Sequence, residues 1–406
     1  MSGLAPSGAP PEPTAAPQRA AAPPRAFVLC GEPSGAEAPR VFGATGAERL
    51  LRSLARLGIE ASLGPPPAGA GSGNTALFRA DWVYDERLVA ALCEAPGTGL
   101  VTRDGKLVAA HVADASREAA RQAIAGEPAS DEGFTRVGPD ALVPAYSHEL
   151  RKRAPALLEP LVAGSERAIE QRLFDASYKG ITDLVTKFVW PPLALPAVRA
   201  CARLGISPNA VTVASWLLVF LAGYAFATGA FAAGLGAAWL MTFLDTVDGK
   251  LARVTLRSSR LGHVLDHGLD ILHPPFWWAA WGLALPAAPW TAGATAIAFF
   301  GYWLHRIVEG AFLAIFGTEI HAWRRLDARF RLITTRRNPN LILLTVGVAL
   351  GRPDAGFAAL AAWTVASIAF HLVRIAQAGV EALRGRPIHS EYEEAAASSE
   401  GTEARR

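Results

Sequence analysis

Apolar and polar positions follow two different rhythms along this chain. Up to about residue 145 the apolar runs are short and broken by turns. Arg25-Ala26-Phe27-Val28-Leu29-Cys30 ends at Gly31 and suits a buried first strand. Glu48–Leu57 places Leu50, Leu51, Leu54 and Leu57 at helical spacing and stops at Gly58. Ala76–Asp81 reads as a strand, and Glu86–Ala95 as the helix that follows it. Leu100–Thr102 and Lys106–Val112 fit a hairpin turning at Asp104-Gly105. Strands alternating with helices predict a soluble, open α/β sheet domain over residues 26–145.

The second rhythm begins after a connector, residues 146–205. Glu149–Arg172 is charged and reads as helical. Ile181–Leu195 mixes Leu184, Val185, Phe188, Val189 and Trp190 with Asp183 and Lys187, as expected of an amphipathic helix lying on a membrane surface. From Asn209 onward long apolar stretches recur with small turns between them. They predict six membrane helices at about 209–229, 231–254, 261–286, 290–317, 338–352 and 354–379, the fifth being short. Together these predict a polytopic α-helical membrane domain at 206–385, preceded by the juxtamembrane helix. Residues 1–25, rich in Ala, Pro and Gly, are expected to be a disordered leader, and 386–406 a disordered tail. The leader lacks the basic start and apolar stretch of a signal peptide, so it is expected to remain in the cytosol.

Composition supports that division. Hydrophobic residues make up 51% and charged residues 18%, against about 25% charged in an ordinary soluble domain. This excludes a disordered or nucleic-acid-coating protein as the main reading. Eleven Trp and 18 Phe against 6 Tyr suit rings in lipid or at its interface. Cys30, Cys93 and Cys201 form no paired motif, so neither a disulfide framework nor a zinc knuckle is expected. Basic residues gather before the first span (Lys179, Lys187, Arg199, Arg203), after the second (Lys250, Arg253, Arg257, Arg260) and after the fourth (Arg324, Arg325, Arg329, Arg331, Arg336, Arg337). The turns on the opposite side carry almost none. This bias predicts an integral membrane protein with both termini in the cytosol.

The chemistry concentrates where charge enters the apolar region. Asp245 and Asp248 are three apart and share a helix face, as do Asp266 and Asp270, four apart on the next span. Ionisable groups at membrane depth are costly and point to function. Four carboxylates at close quarters need cations to stay ionised. Hard divalent ions such as Mg²⁺ accept such oxygens and keep room for phosphate. Gly249 and Ala252 remove bulk beside the acids, and Arg253 adds a fork donor for phosphate. A buried ionic cluster, or the cation path of a transporter, is the alternative reading of the same residues.

The full pattern D-x2-D-G-x2-A-R-x8-G-x3-D-x3-D is present at Asp245, Asp248, Gly249, Ala252, Arg253, Gly262, Asp266 and Asp270. It resembles the signature of the CDP-alcohol phosphotransferases, and the resemblance extends over about residues 176–385. It implies transfer of a substituted phosphate from a CDP-linked donor to an alcohol acceptor, one of them a lipid, with release of CMP. By this resemblance Asp245, Asp248, Asp266 and Asp270 would hold two Mg²⁺ or Mn²⁺ ions, and Asp270 would also take the proton from the acceptor hydroxyl. Gly249, Ala252 and Arg253 would meet the donor. Ser207-Pro208-Asn209-Ala210-Val211-Thr212 is similar to the family's P-N-x-V-T opening of the first span, which would place Asn209 and Thr212 in the nucleotide pocket. Ser259 stands where the family often has a donor-contacting hydroxyl. Homodimerisation is a family expectation; no nucleic-acid partner, a bacterial inner membrane and a cytosolic site are expected as well.

Two further readings concern the flanks. Segments 319–325 and 334–340 are dense in arginine, suited either to an inositol phosphate group or to anchoring against anionic lipid. His305, Arg306 and Glu309 are expected to face the bundle interior. The N-terminal half resembles sugar-phosphate nucleotidyltransferases at Val41–Ile59 and at Arg79–Asp85, a strand that in that family carries a metal-binding Asp. The layout is similar to bifunctional inositol-phosphate cytidylyltransferase and di-inositol-phosphate phosphate synthases. The phosphate loop is reduced to Cys30-Gly31-Glu32-Pro33-Ser34-Gly35, with Glu32 where a triphosphate would want positive charge. The half therefore reads as degenerate. A protein that also makes its own CDP-activated donor, and a non-catalytic ion-binding membrane protein, are the alternatives.

Overall fold

The computed structural model describes residues 24–29, 38–67, 73–130, 132–147, 150–257 and 260–391, with 260–270 as helical backbone alone. The phosphate-like loop at 30–35, most of the leader, most of the tail and Ser259 lie outside the described residues.

The first half follows the short rhythm. Its elements are β1 (Arg25–Leu29), α1 (Gly46–Arg56), β2 (Ala61–Leu63), β3 (Thr75–Arg79), β4 (Trp82–Tyr84), α2 (Glu86–Glu94), β5 (Thr98–Val101), β6 (Leu107–Val112), α3 (Arg117–Ala125) and β7 (Thr135–Val137). Six strands form one mixed sheet in the order β2-β1-β3-β6-β5-β7. β1 pairs in parallel with β2 and β3, whereas the β5–β6 hairpin is antiparallel. Alternation along each strand sends side chains to both faces. Ala26, Val28, Ala76 and Phe78 meet Leu50, Leu54, Leu88 and Leu92 of α1 and α2. Phe27, Leu77, Ala110 and Val112 meet Ala120 and Ile124 of α3. Thr45 caps α1, accepting from the Glu48 N–H while the Glu48 carboxylate accepts from the Thr45 N–H.

The connector differs from its helical reading. After the short α4 (Pro139–Leu142) come β8 (Tyr146–Ser147), β9 (Lys152–Arg153) and β10 (Leu158–Pro160), and only Glu166–Ala176 is helical, α5. Pro155 and Pro160 cannot serve a helix interior. β10 pairs antiparallel with β4, so the sheet half runs past residue 145. The juxtamembrane segment is helical, with a π-helical turn at Val185–Val189 leading into α6 (Trp190–Arg203). Phe188 and Leu193 are exposed on it, while Trp190 packs against Trp239 and Phe243.

The long rhythm becomes α7 (Pro208–Ala227), α8 (Phe231–Thr255), α9 (Arg260–Ala284) and α10 (Thr291–Phe316). Two short helices follow, α11 (Ile320–Trp323) and α12 (Arg325–Phe330), and then α13 (Arg337–Ala349) and α14 (Pro353–Leu383). Among the described residues, α7 and α14 are long and apolar enough to cross a membrane by composition. Charge inside α8 and α10, and the shortness of α13, set those helices apart. The bundle core is apolar, built on Phe226, Trp277, Trp278, Trp281, Leu341 and Phe357. Its outer surface is apolar too: Leu217, Phe220, Leu283, Phe300 and Ile307 are each at least 65% exposed. An apolar exterior around an apolar interior is the pattern of helices packed in lipid.

One core joins the halves. Val41, Phe42, Val83 and Leu161 pack with Val198 of α6, Val211 of α7 and Val247, Leu251 and Val254 of α8. Arg49 of α1 is buried and donates to the Val254 carbonyl at 2.5 Å, and Arg52 donates to the Thr255 carbonyl at 3.1 Å. Two guanidinium groups thus cap the last turn of α8, where carbonyls lack helical partners and the helix dipole is negative. Burial pulls the Arg49 guanidinium down to about 10, which leaves it charged at neutral pH. Glu170 of α5 closes the joint, accepting from the Phe42 N–H at 3.0 Å and from Arg199 at 2.7 Å.

Candidate active site

Val247, Leu251 and Val254 hold one face of α8 in the joining core. The opposite face, with Asp245, Thr246, Gly249 and Arg253, borders a cleft of about 510 Å³. Asp183 and Thr186, Glu309 of α10, and Arg336, Arg337 and Asn338 at the start of α13 line it as well.

Asp245 accepts from Arg337 at 2.6 Å. Asp248, one turn on, is buried and accepts from the Thr212 hydroxyl at 2.7 Å. Thr212 reaches it because Ser207 starts α7 cleanly: its hydroxyl accepts from the Ala210 N–H at 3.2 Å, with Pro208 in the first turn. Asn209, by contrast, is exposed at this helix start, and Ala252 is half-buried. A side chain built at Gly249 would meet nothing within 4 Å, so packing does not require glycine there. Its bareness leaves the cleft floor open to a close-fitting ligand. Arg253 donates to the Ser177 carbonyl at 3.1 Å, and Lys250 donates to the same oxygen at 2.9 Å, with its ammonium 3.4 Å from the Tyr178 ring centre.

The backbone of Asp266 and Asp270 lies in α9; their carboxylates, like Ser259, fall outside the described residues. Ile271, which follows Asp270, lines the same cleft. Carboxylates three apart on α8 are oxygen donors of the kind a hard divalent ion takes. In this structure a guanidinium fills part of that role for Asp245.

Residues that no sequence motif marks also frame the cleft. Asp183 accepts from the Thr186 N–H at 3.0 Å and its hydroxyl at 2.7 Å, and from Asn338 at 3.0 Å. The signal was a buried acid in a segment read as a surface helix. Glu309 faces inward as expected. It accepts from Arg306 at 2.9 Å and Arg336 at 2.6 Å, and lies 2.8 Å from His321 Nε2. Arg336 and Arg337 therefore belong to the cleft wall rather than to a lipid-facing anchor. Burial also pulls the Arg331 guanidinium below its ordinary value.

The acidic positions of the sheet half are occupied otherwise. Asp81 accepts two bonds from Arg79, at 2.8 and 2.6 Å. Burial pushes its carboxyl up, but those bonds outweigh it and hold Asp81 below the usual carboxylate range. Asp85 caps α2, accepting from the Arg87 N–H at 2.9 Å, and pairs with the Arg87 side chain.

A family model described as CDP-alcohol phosphatidyltransferase matches residues 205–323, the stretch holding α7 to α11 and the acidic face of α8. The chain is 40% identical over 75 residues to archaetidylinositol phosphate synthase of Pyrococcus horikoshii, a match covering 18% of this chain and 39% of that protein. It is 29% identical over 109 residues to phosphatidylinositol phosphate synthase of Mycobacteroides abscessus, covering 25% and 50%. The chain thus spans half or less of the curated relatives it matches. Two solved structures of Mycobacterium tuberculosis phosphatidylinositol phosphate synthase are also similar. The one with CDP-DAG bound has TM-score 0.36 and 21% identity, over 45% of this chain and 94% of that one. The one in complex with manganese and citrate has TM-score 0.35 and 21% identity, over 45% and 88%.

Proposed function

We propose that the chain transfers a substituted phosphate from a CDP-linked donor to an alcohol acceptor at the cytosolic side of a membrane, releasing CMP. Inositol phosphate-linked lipid synthesis is the setting. The observation that carries this reading is the face of α8, where Asp245, bare Gly249 and Arg253 border one cleft of about 510 Å³ opposite a wall of guanidinium groups. In this reading all six long helices cross the bilayer and both termini are cytosolic.

Asp245, Asp248, Asp266 and Asp270 would hold two divalent ions, Mg²⁺ or Mn²⁺, which supply charge neutralisation at the diphosphate and polarisation of the transferred phosphate. The remaining work belongs to the chain. Thr212 orients Asp248 through its 2.7 Å bond. Gly249 lets the cytidine diphosphate lie against the helix, and Arg253 and Lys250 face its charge from the Ser177 side. Asp270 takes the acceptor proton. Arg306, Arg331, Arg336 and Arg337 suit an acceptor that carries its own phosphate, since planar guanidinium forks match phosphate oxygens. Arg337 would exchange its bond to Asp245 as ions and substrate enter.

The sheet half acts as a brace rather than a second catalyst. Asp81 is already committed to Arg79, and α1 is committed to the end of α8. The decisive experiment incubates purified full-length protein with CDP-diacylglycerol, an inositol phosphate and Mg²⁺, and measures CMP. Release that depends on the acceptor and the divalent ion, and that is abolished by Asp248→Asn and Asp270→Asn, is expected. Undiminished release in either variant would reject the assignment.

A further inference from the structure

Behind the cleft wall lies a second set of donor atoms of different chemistry. His305 and Glu309 are four apart on one face of α10. His371 of α14 completes the set: one donor atom from each of the three residues lies within 4.8 Å of the others. His305 and His371 are both fully buried, their ring centres 4.7 Å apart. Among the described residues, neither ring nitrogen of either histidine has a hydrogen-bond partner. His321 of α11, also buried, stands with its ring centre 5.1 Å from that of His371. Its Nε2 lies 2.8 Å from Glu309 Oε1, and its Nδ1 has no partner among the described residues.

Buried polar nitrogens are normally bonded, so two imidazoles with all ring nitrogens bare, side by side, ask for a common ligand. His305 Nδ1 lies 3.6 Å from Glu309 Oε1. That is close to the edge of about 3.4 Å between donors of a tetrahedral ion with bonds of about 2.1 Å. Glu309 is pre-set for the task. Its Oε2 takes Arg306 at 2.9 Å and Arg336 at 2.6 Å, which turns Oε1 toward the histidines. The positive charge farther along α14 is already balanced, because Arg374 is bound to Asp327 at 2.6 and 2.8 Å.

We infer that His305, Glu309 and His371 bind one borderline-soft divalent metal ion of the Zn²⁺ class, with His321 holding Glu309 Oε1 from the side. Imidazole donors separate this site from the all-oxygen acidic face of α8, which suits Mg²⁺. The ion would tie α10 to α14 and fix Glu309 in the cleft wall.

The test uses the full-length protein purified with Zn²⁺ and then washed with excess Mg²⁺. Metal analysis is expected to find about one Zn²⁺ per chain. That Zn²⁺ should persist in Asp245→Asn/Asp248→Asn and be lost in His305→Gln and His371→Gln. Zn²⁺ that follows the aspartates instead, or that survives both histidine substitutions, overturns the site. Should those variants not fold, wild-type protein loaded with Co²⁺ decides: visible bands of a four-coordinate ion support the site, and six-coordinate bands or none refute it. Stripping Zn²⁺ by a chelator, with Mg²⁺ restored, is expected to lower the melting temperature.

Discussion

At the scale of single residues the site makes sharp demands. Thr212→Val keeps shape but removes a hydroxyl that bonds buried Asp248 at 2.7 Å. A loss of about 10–100-fold in CMP release is expected, because the partner of a candidate metal ligand sets its direction. Titration by divalent ion should show a raised requirement, with unfolding little changed. Gly249→Leu is expected to fold, since the space beside its backbone is open, yet to abolish donor turnover by filling the cleft; melting temperature and CMP release together check both halves. In the sheet half, burial lowers the His111 imidazole, against the lesser opposing effect of its bond to the Leu92 carbonyl. The folded form thus binds its proton more weakly than the unfolded chain does. Stability from this residue is full above the unfolded value near 6.5 and falls as pH drops through the window below it. Unfolding of the full chain followed from pH 7.5 to 5.5 should show this loss, and His111→Gln should flatten it. Asp245, Asp248, Gly249 and Arg253 were legible as a spaced motif. Asp183 and Asn338 were not, because their 3.0 Å bond joins positions far apart in sequence, and no local pattern records such a partner.

At the scale of elements, period told most of the story. The hairpin at Asp104-Gly105, the helix ending at Gly58 and the apolar helices after Asn209 emerge within a few residues of their read limits, because each is written in local alternation and turn chemistry. The connector shows where this fails. Charge density at Glu149–Arg172 suggested one helix, but Pro155 and Pro160 and the pairing of β10 with β4 prevailed. The junction between α1 and α8 was equally invisible: Arg49 and Arg52 look like the polar side of an amphipathic helix, yet cap carbonyls about 200 positions away. Arg49→Leu is expected to cost about 1–3 kcal/mol, the range for stranding a buried acceptor, and to lower the melting temperature accordingly. Arg52→Leu, in a less buried position, should cost less.

At the scale of the whole molecule the two halves share a core, so they are not separable modules. Removing residues 1–165 would uncover Val198, Val247 and Val254, and leave the end of α8 uncapped. The truncated chain is expected to be recovered in low yield or aggregated, measured by gel filtration in detergent; a well-folded, active fragment would contradict the brace reading. The clasp on α8 has another side. On the proposed topology, the acid-bearing helix is steadied from outside the bilayer by a surface that water-soluble molecules can reach. If the proposed reaction holds, an antibody fragment that prises α1 away should therefore slow it from a distance, without ever competing with nucleotide or lipid.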